Sequence, residues 1–459
     1  MRKKLLTLIT VFCLSNLVSY AQLFSSKKSI NTSTGDYPSV IESGHLNSDS
    51  HVDIVIGTTY GGTIEWYKNN GNQSFGMQTL ITSTLTGILG LAIADLDNDN
   101  DNDIVAASYF SGKLVWFEND GNGNFSSEKV IASGISEAGT VKVGKIDNNN
   151  TIDVVVAAGA SGQVLWFSNN GNGTFSGSNL VGGNGMTPRS IDLADFNEDG
   201  DLDVVVGFRD TRNVELYENQ LSSTGTPTFL RSANGSISSN NSDLNEVSFA
   251  DVDNDKKLDI IKVNKTTMAS WYKKEANGTF TEHNFTTSYN YPATAKVADY
   301  DNDSYNDVII GFANGTSVDA LAMYDNSNFE TLIDNTQDDI NQFTVNDFDG
   351  DGDLDVASIS QKQNDLNWFE NLKFSATLGL KDITQIRRKI YPNPTREHLV
   401  VDGKFTKPYK ASIYNILGKE VMQINVSNSI EKIEVASLKS GVYLLYLEDD
   451  KTYFKFVKL

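Results

Sequence analysis

The sequence repeats one acidic motif seven times, and no other feature limits the possible fold as strongly. In the second copy, Asp95, Asp97, Asp99, Asp101 and Asp103 alternate with other residues. The copies begin 48 to 56 residues apart, at His45, Asp95, Lys145, Asp195, Asp251, Asp299 and Asp347. A fixed period of this length is typical of repeat architectures in which each copy forms one structural unit.

Each copy contains the same succession of short segments. In the second copy the apolar strand 104–106 follows the acidic motif, and an aromatic strand with Trp116 and Phe117 comes next. An Asn–Gly turn and a fourth strand complete the copy. Four short strands in each of seven copies, without helical periodicity, predict an all-β fold in the form of a seven-bladed β-propeller.

The two ends of the repeat region are predicted to meet. The seventh copy has no fourth strand after Asn371, whereas residues 23–30 match the fourth strand at 124–131 and have no copy before them. We therefore expect the N-terminal segment to complete the seventh blade, which would leave no open sheet edge there.

The first 21 residues are typical of a secretory signal peptide. Arg2, Lys3 and Lys4 precede the apolar segment 5–18, and small residues follow it up to Ala21. The apolar segment is shorter than the roughly 20 residues that a membrane-spanning helix needs. We therefore expect a mature chain from residue 22 onward with no membrane span. Cys13, the one cysteine, would leave with the signal peptide, so no disulfide or thiolate chemistry is expected.

The acidic motifs predict cation-binding loops. Five carboxylates within nine residues repel one another unless a cation neutralises them, and oxygen ligands at this density suit Ca²⁺ better than a transition metal. Position six of the motif carries residues that tolerate a positive φ, namely Gly200, Gly352, Asn100 and Ser304. The alternative, a solvated acidic turn, explains less well why the pattern recurs at one phase.

These loops, over residues 22–371, resemble the FG-GAP/VCBS calcium-loop repeats of integrin-α propellers and many bacterial surface proteins. The resemblance implies about five structural Ca²⁺ ions, each bound by side chains at motif positions one, three, five and nine and by a backbone carbonyl at seven. The side chains carried over are Asp95, Asp97, Asp99 and Asp103; Asp195, Asn197, Asp199 and Asp203; Asp251, Asp253, Asp255 and Asp259; Asp299, Asp301, Asp303 and Asp307; and Asp347, Asp349, Asp351 and Asp355.

Three loops depart from this pattern. The third has Lys145 at position one, and we expect its ammonium group to replace the ion. The first, with His45 and His51, is expected to bind weakly or not at all. The fifth keeps its acids but has Lys256 where glycine is usual, which is expected to weaken binding.

The C-terminal part differs in composition from the repeats. After a polar linker at 372–386, residues 387–459 contain 13 Lys and Arg against 8 Asp and Glu, whereas the whole chain contains 37 against 59. Alternating apolar strands and turn signals predict a small β-sandwich there, and an ordinary binding module is one interpretation. The segments 391–394, 412–421 and 438–445 resemble the type A sorting domain of the type IX secretion system. The resemblance implies recognition of residues 387–459 by that machinery, followed by release or attachment at the cell surface.

Two classes of function remain after the sequence is searched for catalytic motifs. The acidic chain argues against nucleic-acid binding, and with only four histidines it shows no zinc-protease or nucleophile-elbow motif. A binding or adhesion protein for a glycan or protein partner is favoured; the alternative is a secreted polysaccharide-active enzyme of the lyase type. The loops that vary most between copies are the candidate ligand surface, with candidate residues Tyr60, Tyr109, Arg209, Arg212 and Tyr289.

Overall fold

The computed structural model describes residues 23–183, 185–238, 243–265, 269–313, 319–373, 389–402, 409–415, 419–426, 432–447 and 452–459. The Cα positions divide the chain into two compact units, residues 1–375 and 376–459. The expectation of an all-β fold is confirmed, because the described residues form strands and one short helix, α1 (Leu221–Thr224). The expected signal peptide at 1–21 and most of the expected linker at 372–386 lie outside the described residues. None of the helices described is long and apolar enough to cross a membrane.

Within its described residues, the first unit contains seven four-stranded antiparallel sheets, numbered 1 to 7 by their position in the chain. Strand β1 (Lys28–Asn31) comes first. Sheets 1 to 3 contain β2 (Pro38–Gly44), β3 (Asp53–Thr58), β4 (Ile64–Tyr67) and β5 (Thr79–Thr82); β6 (Ile88–Ala94), β7 (Asp103–Ser108), β8 (Lys113–Phe117) and β9 (Lys129–Ser133); and β10 (Ala138–Gly144), β11 (Asp153–Ala158), β12 (Gln163–Phe167) and β13 (Asn179–Gly182).

Sheets 4 to 7 continue the same order. They contain β14 (Pro188–Ala194), β15 (Asp203–Phe208), β16 (Val214–Asn219) and β17 (Phe229–Ser238); β18 (Leu244–Ala250), β19 (Asp259–Asn264), β20 (Ser270–Lys274) and β21 (Phe280–Asn284); β22 (Pro292–Ala298), β23 (Asp307–Phe312), β24 (Leu321–Tyr324) and β25 (Glu330–Asp334); and β26 (Ile340–Asn346), β27 (Asp355–Ser360) and β28 (Asp365–Phe369), completed by β1.

The N-terminal strand β1 completes sheet 7, as the sequence predicts. Lys28 lies opposite Trp368 in the antiparallel ladder, and Phe24 forms a further bridge with Asn371. Phe24 is also buried in the core of this sheet. The pairing covers the backbone edge of β28 that would otherwise stay open.

Apolar side chains between neighbouring sheets form the core of the first unit. The second strand of each sheet is buried along its whole length, because a strand covered on both faces can carry a continuous apolar run. Trp66, Trp116, Trp166 and Trp368 are at most 6% exposed at one shared position of the third strand. These indoles pack in the core, where they are not available to stack on a ligand.

The first strands of successive sheets contact one another from β2 to β26, and β26 also contacts β2. Repeated four-stranded antiparallel sheets that pack in this order are consistent with propeller blades.

An asparagine at the start of the turn after the third strand connects neighbouring sheets. Asn119 Nδ2 donates to the carbonyl oxygen of Leu46, in the acidic loop of the preceding sheet, at 3.0 Å. Its backbone N–H donates to Asp103 Oδ1 at 2.9 Å. The same two bonds occur at Asn69, Asn169, Asn219 and Asn371. In sheet 5, Lys274 Nζ reaches the equivalent carbonyl, that of Phe196, at 3.3 Å.

The second unit contains two sheets in its described part. One joins β29 (Lys389–Tyr391), β30 (His398–Asp402) and β33 (Lys432–Glu434); the other joins β31 (Tyr409–Asn415), β32 (Glu420–Val426), β34 (Gly441–Leu447) and β35 (Thr452–Lys458). Leu399 and Ile433 from the first sheet share one buried cluster with Ile413, Leu445 and Phe456 from the second.

Replacing Asn119 with alanine tests the asparagine bridge. The change removes the donor to the buried Leu46 carbonyl, so we expect the free energy of unfolding to fall by about 2 kcal/mol, within the range for an unsatisfied buried polar group. Asn124→Ala is the matched control, because Asn124 is exposed in the same turn and its side chain donates only to Asp120. Urea unfolding of the two variants checks this, and an equal loss in both would contradict the assigned role of Asn119.

Candidate functional site

The acidic motifs form the loops between the first and second strands of the seven sheets. Position six has a positive φ at Gly200, Gly352, Asn100 and Ser304, which confirms the expectation from the sequence, and Lys256 adopts the same conformation at φ 67°. Position four is also left-handed in several copies, as at Asn98 and Asn302. Two left-handed residues curl the chain so that alternate side chains point inward.

Acidic side chains at positions one, three and five converge in four loops of the described chain. In each loop, one oxygen from each of three aspartates lies within 4.8 Å of the others. The groups are Asp95, Asp97 and Asp99; Asp251, Asp253 and Asp255; Asp299, Asp301 and Asp303; and Asp347, Asp349 and Asp351. The fourth loop, with Asn197 at position three, has the same backbone hydrogen bonds, because the Asp199 N–H contacts both Asp195 and Asn197.

Several of these carboxylate oxygens are buried without a hydrogen-bond partner. Asp95 Oδ1, Asp97 Oδ1 and Asp351 Oδ2 are in this state among the described residues. Burial, and then the neighbouring carboxylates, raise the pKa of Asp97 and of Asp349 to about 6. An unpartnered buried oxygen is costly, and a hard cation surrounded only by oxygen atoms would satisfy it. The residues present therefore fit Ca²⁺.

The aspartate at position nine has a structural role in all seven loops. It is at most 1% exposed, and its Oδ2 accepts the N–H of the residue at position two, as from Leu96 to Asp103 at 2.9 Å. The same bond forms in the other loops. Burial raises the pKa of these carboxyls, to about 6 in Asp53 and about 8 in Asp355. The aspartates at position nine are not members of the converging groups of three. A carboxylate oxygen that accepts one N–H nevertheless keeps a lone pair that can bind a cation.

In the fifth and first loops, a lysine side chain compensates the negative charge of the aspartates. In the fifth, Lys273 from β20 contacts Asp253 and lies 2.9 Å from Asp255. In the first, Lys68 lies 3.1 Å from Asp49. The ammonium group of Lys273 lowers the pKa of Asp255, as expected for a close positive charge.

The third loop differs from the expectation for Lys145. No ion pair of Lys145 occurs in the part of the chain that the structure describes. Instead, Ser168 Oγ donates to Asp147 Oδ2 at 2.6 Å, and Asn149 Nδ2 donates to the carbonyl of Asn169 at 2.8 Å. Neutral groups of the turn after the third strand, and not the ammonium group of Lys145, contact the polar side chains of this loop.

The residue type at one sequence position distinguishes loops one, three and five from loops two, four, six and seven. The residue directly after the aromatic pair of the third strand is Lys68, Ser168 or Lys273 in loops one, three and five. In loops two, four, six and seven it is acidic: Glu118, Glu218, Asp325 and Glu370. The signal is present in the sequence alone, and aligning the copies at their aromatic pairs reveals it.

Of the five candidate ligand residues, the structure brings two together. Tyr109 and Arg209 line one cavity, of about 130 Å³, and Arg209 lies 3.9 Å from Glu137. The other three make separate contacts. Tyr60 is 64% exposed and packs on Tyr37, Arg212 lies 3.3 Å from Asp243, and Tyr289 packs on Phe312.

The cavity is built by the first strands of all seven sheets. Its wall includes Val40, Leu91, Val141, Ile191, Val247, Ala293 and Phe343, one from each sheet. Two ion pairs belong to its surroundings: Lys142 with Asp192 at 3.2 Å and Lys296 with Glu246 at 3.1 Å. Sequence reasoning did not identify these charged residues, because they lie on regular strands and not in variable loops.

Comparison with models of protein families gives matches in both units of the chain. The model of the FG-GAP-like repeat matches residues 45–106, 95–156 and 145–206, and that of the secretion system C-terminal sorting domain matches 389–459. The chain contains FG-GAP-like repeats and a type IX secretion sorting domain. No curated protein matches it. The sorting domain indicates export through the type IX machinery and a secreted or cell-surface location for this FG-GAP-like protein.

Replacing Lys273 with methionine tests its role as an internal cation. Asp253 and Asp255 would then repel each other without compensation, so we expect the calcium-free chain to lose about 0.5–1 kcal/mol of stability, the usual size for an exposed ion pair. Lys256→Met is the matched control, since Lys256 is exposed in the same loop and forms no ion pair in the described structure. Thermal unfolding in chelator measures both, and a larger loss in the control would contradict the assignment.

Proposed function

We propose that the seven sheets are the blades of a calcium-stabilised β-propeller that acts outside the cell as a binding protein for a glycan or protein partner. The observation that carries this proposal is the cavity to which every sheet contributes its first strand. A surface assembled from all seven copies, with variable loops at its border, is the arrangement by which repeat scaffolds present ligand sites.

The proposed calcium sites are the loops in which the residue after the third-strand aromatic is acidic. They are loops two, four, six and seven, with ligands at positions one, three, five and nine: Asp95, Asp97, Asp99 and Asp103; Asp195, Asn197, Asp199 and Asp203; Asp299, Asp301, Asp303 and Asp307; and Asp347, Asp349, Asp351 and Asp355. The fifth loop, with Asp251, Asp253, Asp255 and Asp259, is proposed as a weak site, because Lys273 competes with the ion there. Calcium would have a structural role and remove repulsion between carboxylates.

The proposed domain organisation follows the sequence. Residues 1–21 would be a signal peptide, 22–371 the propeller, 372–386 a linker and 387–459 a sorting domain folded as a small β-sandwich. The two sheets with one shared core in the second unit support the last assignment.

A polysaccharide lyase is the second candidate, because the cavity brings Tyr109, Glu137 and Arg209 together. The raised pKa of Tyr109 favours binding over catalysis. Burial, and then Glu137, raise the pKa of Tyr109, which opposes the phenolate form that a general base needs near neutral pH.

Isosteric replacement of one loop aspartate tests the calcium sites. We expect calcium to raise the melting temperature of the mature chain, and Asp97→Asn to reduce that rise. One site saturated at 100 times its Kd contributes about 2.7 kcal/mol. Asp147→Asn, at the same position of the third loop, is the control and should leave the rise unchanged. Equal reductions in both variants would contradict the assignment of sites.

A panel of neutral and acidic polysaccharides tests the proposed activity. We expect the mature chain in calcium to retain at least one polymer or displayed protein without creating unsaturated uronate or new reducing ends. The measurement records the bound fraction and the ultraviolet absorbance of the same samples. Turnover of any polymer would replace the binding proposal with the lyase alternative.

A further inference from the structure

Each first strand contains a bulge near its beginning, and the bulged residues face the same cavity. In sheet 4, Pro188 pairs with Phe208 and Ser190 with Gly207, so Arg189 is the extra residue in the ladder. The equivalent residues are Ser39, Leu89, Gly139, Asn245, Ala293 and Asn341, and every one of them lines the cavity. A β-bulge redirects the side chain that it carries. Among these seven bulged residues, Arg189 of sheet 4 carries the single charged side chain, and it faces the cavity.

The positive charge of Arg189 is not matched by an acid in the described structure. The hydrogen bond that this residue makes there is through its backbone carbonyl, which accepts from Thr140, and none is made by the guanidinium group. The charged neighbour that acts on it is Arg209, which together with burial lowers its pKa. Arg209 lies 3.9 Å from Glu137, and its side chain also contacts the hydroxyl of Tyr109. Two guanidinium groups therefore line this part of the cavity, and its one carboxylate, Glu137, pairs with Arg209.

The remaining charges of the cavity form a separate group. Lys142 pairs with Asp192 and Lys296 with Glu246. The field of these two lysines acts on Glu42, whose pKa is nonetheless raised because the carboxyl is buried. Three acids thus surround the two lysines, whereas Arg189 and Arg209 have one acid, Glu137, beside them in the cavity wall, so a local excess of positive charge lies at the two arginines.

The wall of the cavity also contains uncharged polar side chains beside its apolar ones. Thr140, Thr187, Asn245, Asn341 and Gln342 offer hydroxyl and amide groups. Such groups hydrogen-bond sugar hydroxyls, whereas paired guanidinium groups bind a carboxylate. A cavity of about 150 Å³ holds one benzene molecule, so the 130 Å³ here limits the enclosed part of a ligand to about one small ring.

We propose that the cavity binds a sugar acid, with its carboxylate between Arg189 and Arg209 and its ring hydroxyls on the surrounding threonine and amide side chains. This inference rests on the proposed binding function and names the chemical class of its ligand. The natural ligand would then be a glycan that presents a terminal uronate.

Calorimetric titration of the mature chain in calcium tests the inference. The probes are galacturonate and glucuronate, galactose and glucose as their neutral counterparts, and acetate and phosphate as simple anions. We expect the uronates to bind and the neutral sugars and simple anions to bind at least tenfold more weakly. Neutral sugars binding equally well would overturn the role of the carboxylate. Acetate or phosphate binding equally well would overturn the recognition of a sugar.

Arginine variants locate the site. Arg189→Gln should weaken uronate binding about tenfold or more, since it removes a charge-assisted hydrogen-bond donor. Arg212→Gln is the matched control, because Arg212 lies in the same loop as Arg209 but pairs with Asp243 and is absent from the cavity wall. If Arg189→Gln does not fold, Arg209→Gln, on a half-exposed side chain, serves instead. Equal affinities in the cavity variant and the control would overturn the assignment.

The polysaccharide panel separates failure of this inference from failure of the proposed function. A polymer or displayed protein retained by both wild type and Arg189→Gln, with no uronate binding, would overturn the sugar-acid site and leave the binding function. No retention of any partner and no uronate binding would overturn both.

Discussion

The buried aspartate at position nine of each acidic motif is the interaction on which the first unit depends. Asp103 accepts one backbone N–H from its own loop and another from the turn after the third strand. The asparagine that donates the second bond also donates to the loop of the preceding sheet. A single carboxylate thus holds a loop and a turn, and through them two sheets, at one end of the strands. These bonds offset part of the cost of burying the carboxylate, and burial still raises the pKa of Asp103 to about 7.

This arrangement explains why loops of different composition keep the same shape. The first and third loops have lost most of their acids, yet Asp53 and Asp153 make the same bonds as Asp103. The residues at the other motif positions can therefore vary, and so can the groups that compensate their charge. Lys273 provides a cation from the chain itself, Ser168 is a neutral donor, and Glu118 is a carboxylate that pairs with Lys129. We propose that calcium binding by such a loop depends on this residue as much as on the acidic motif itself.

The sequence predicted the features that depend on the repeat pattern. Strand order, the left-handed residues at position six, and the pairing of β1 with β28 all follow from the repeat. The contact between Lys273 and Asp255 joins a residue of β20 to a loop residue 18 positions earlier, so an isolated motif does not reveal it. The expectation for Lys145 failed because neutral side chains satisfy that loop. Arg189 was not identified from the sequence, since a bulge determines where its side chain points.

The place of β1 at the far end of the ladder has a consequence for the order of assembly. Its partner, β28, is separated from it by almost the whole first unit, and closing so long a loop is among the slowest steps in forming native contacts. Sheets 1 to 6 are built from neighbouring segments, and each has all four strands once its own stretch of chain has been made. Sheet 7 has to wait for both ends. A chain interrupted anywhere before β28 would leave β1 without a partner, so completion of this sheet reports that the entire repeat region is present.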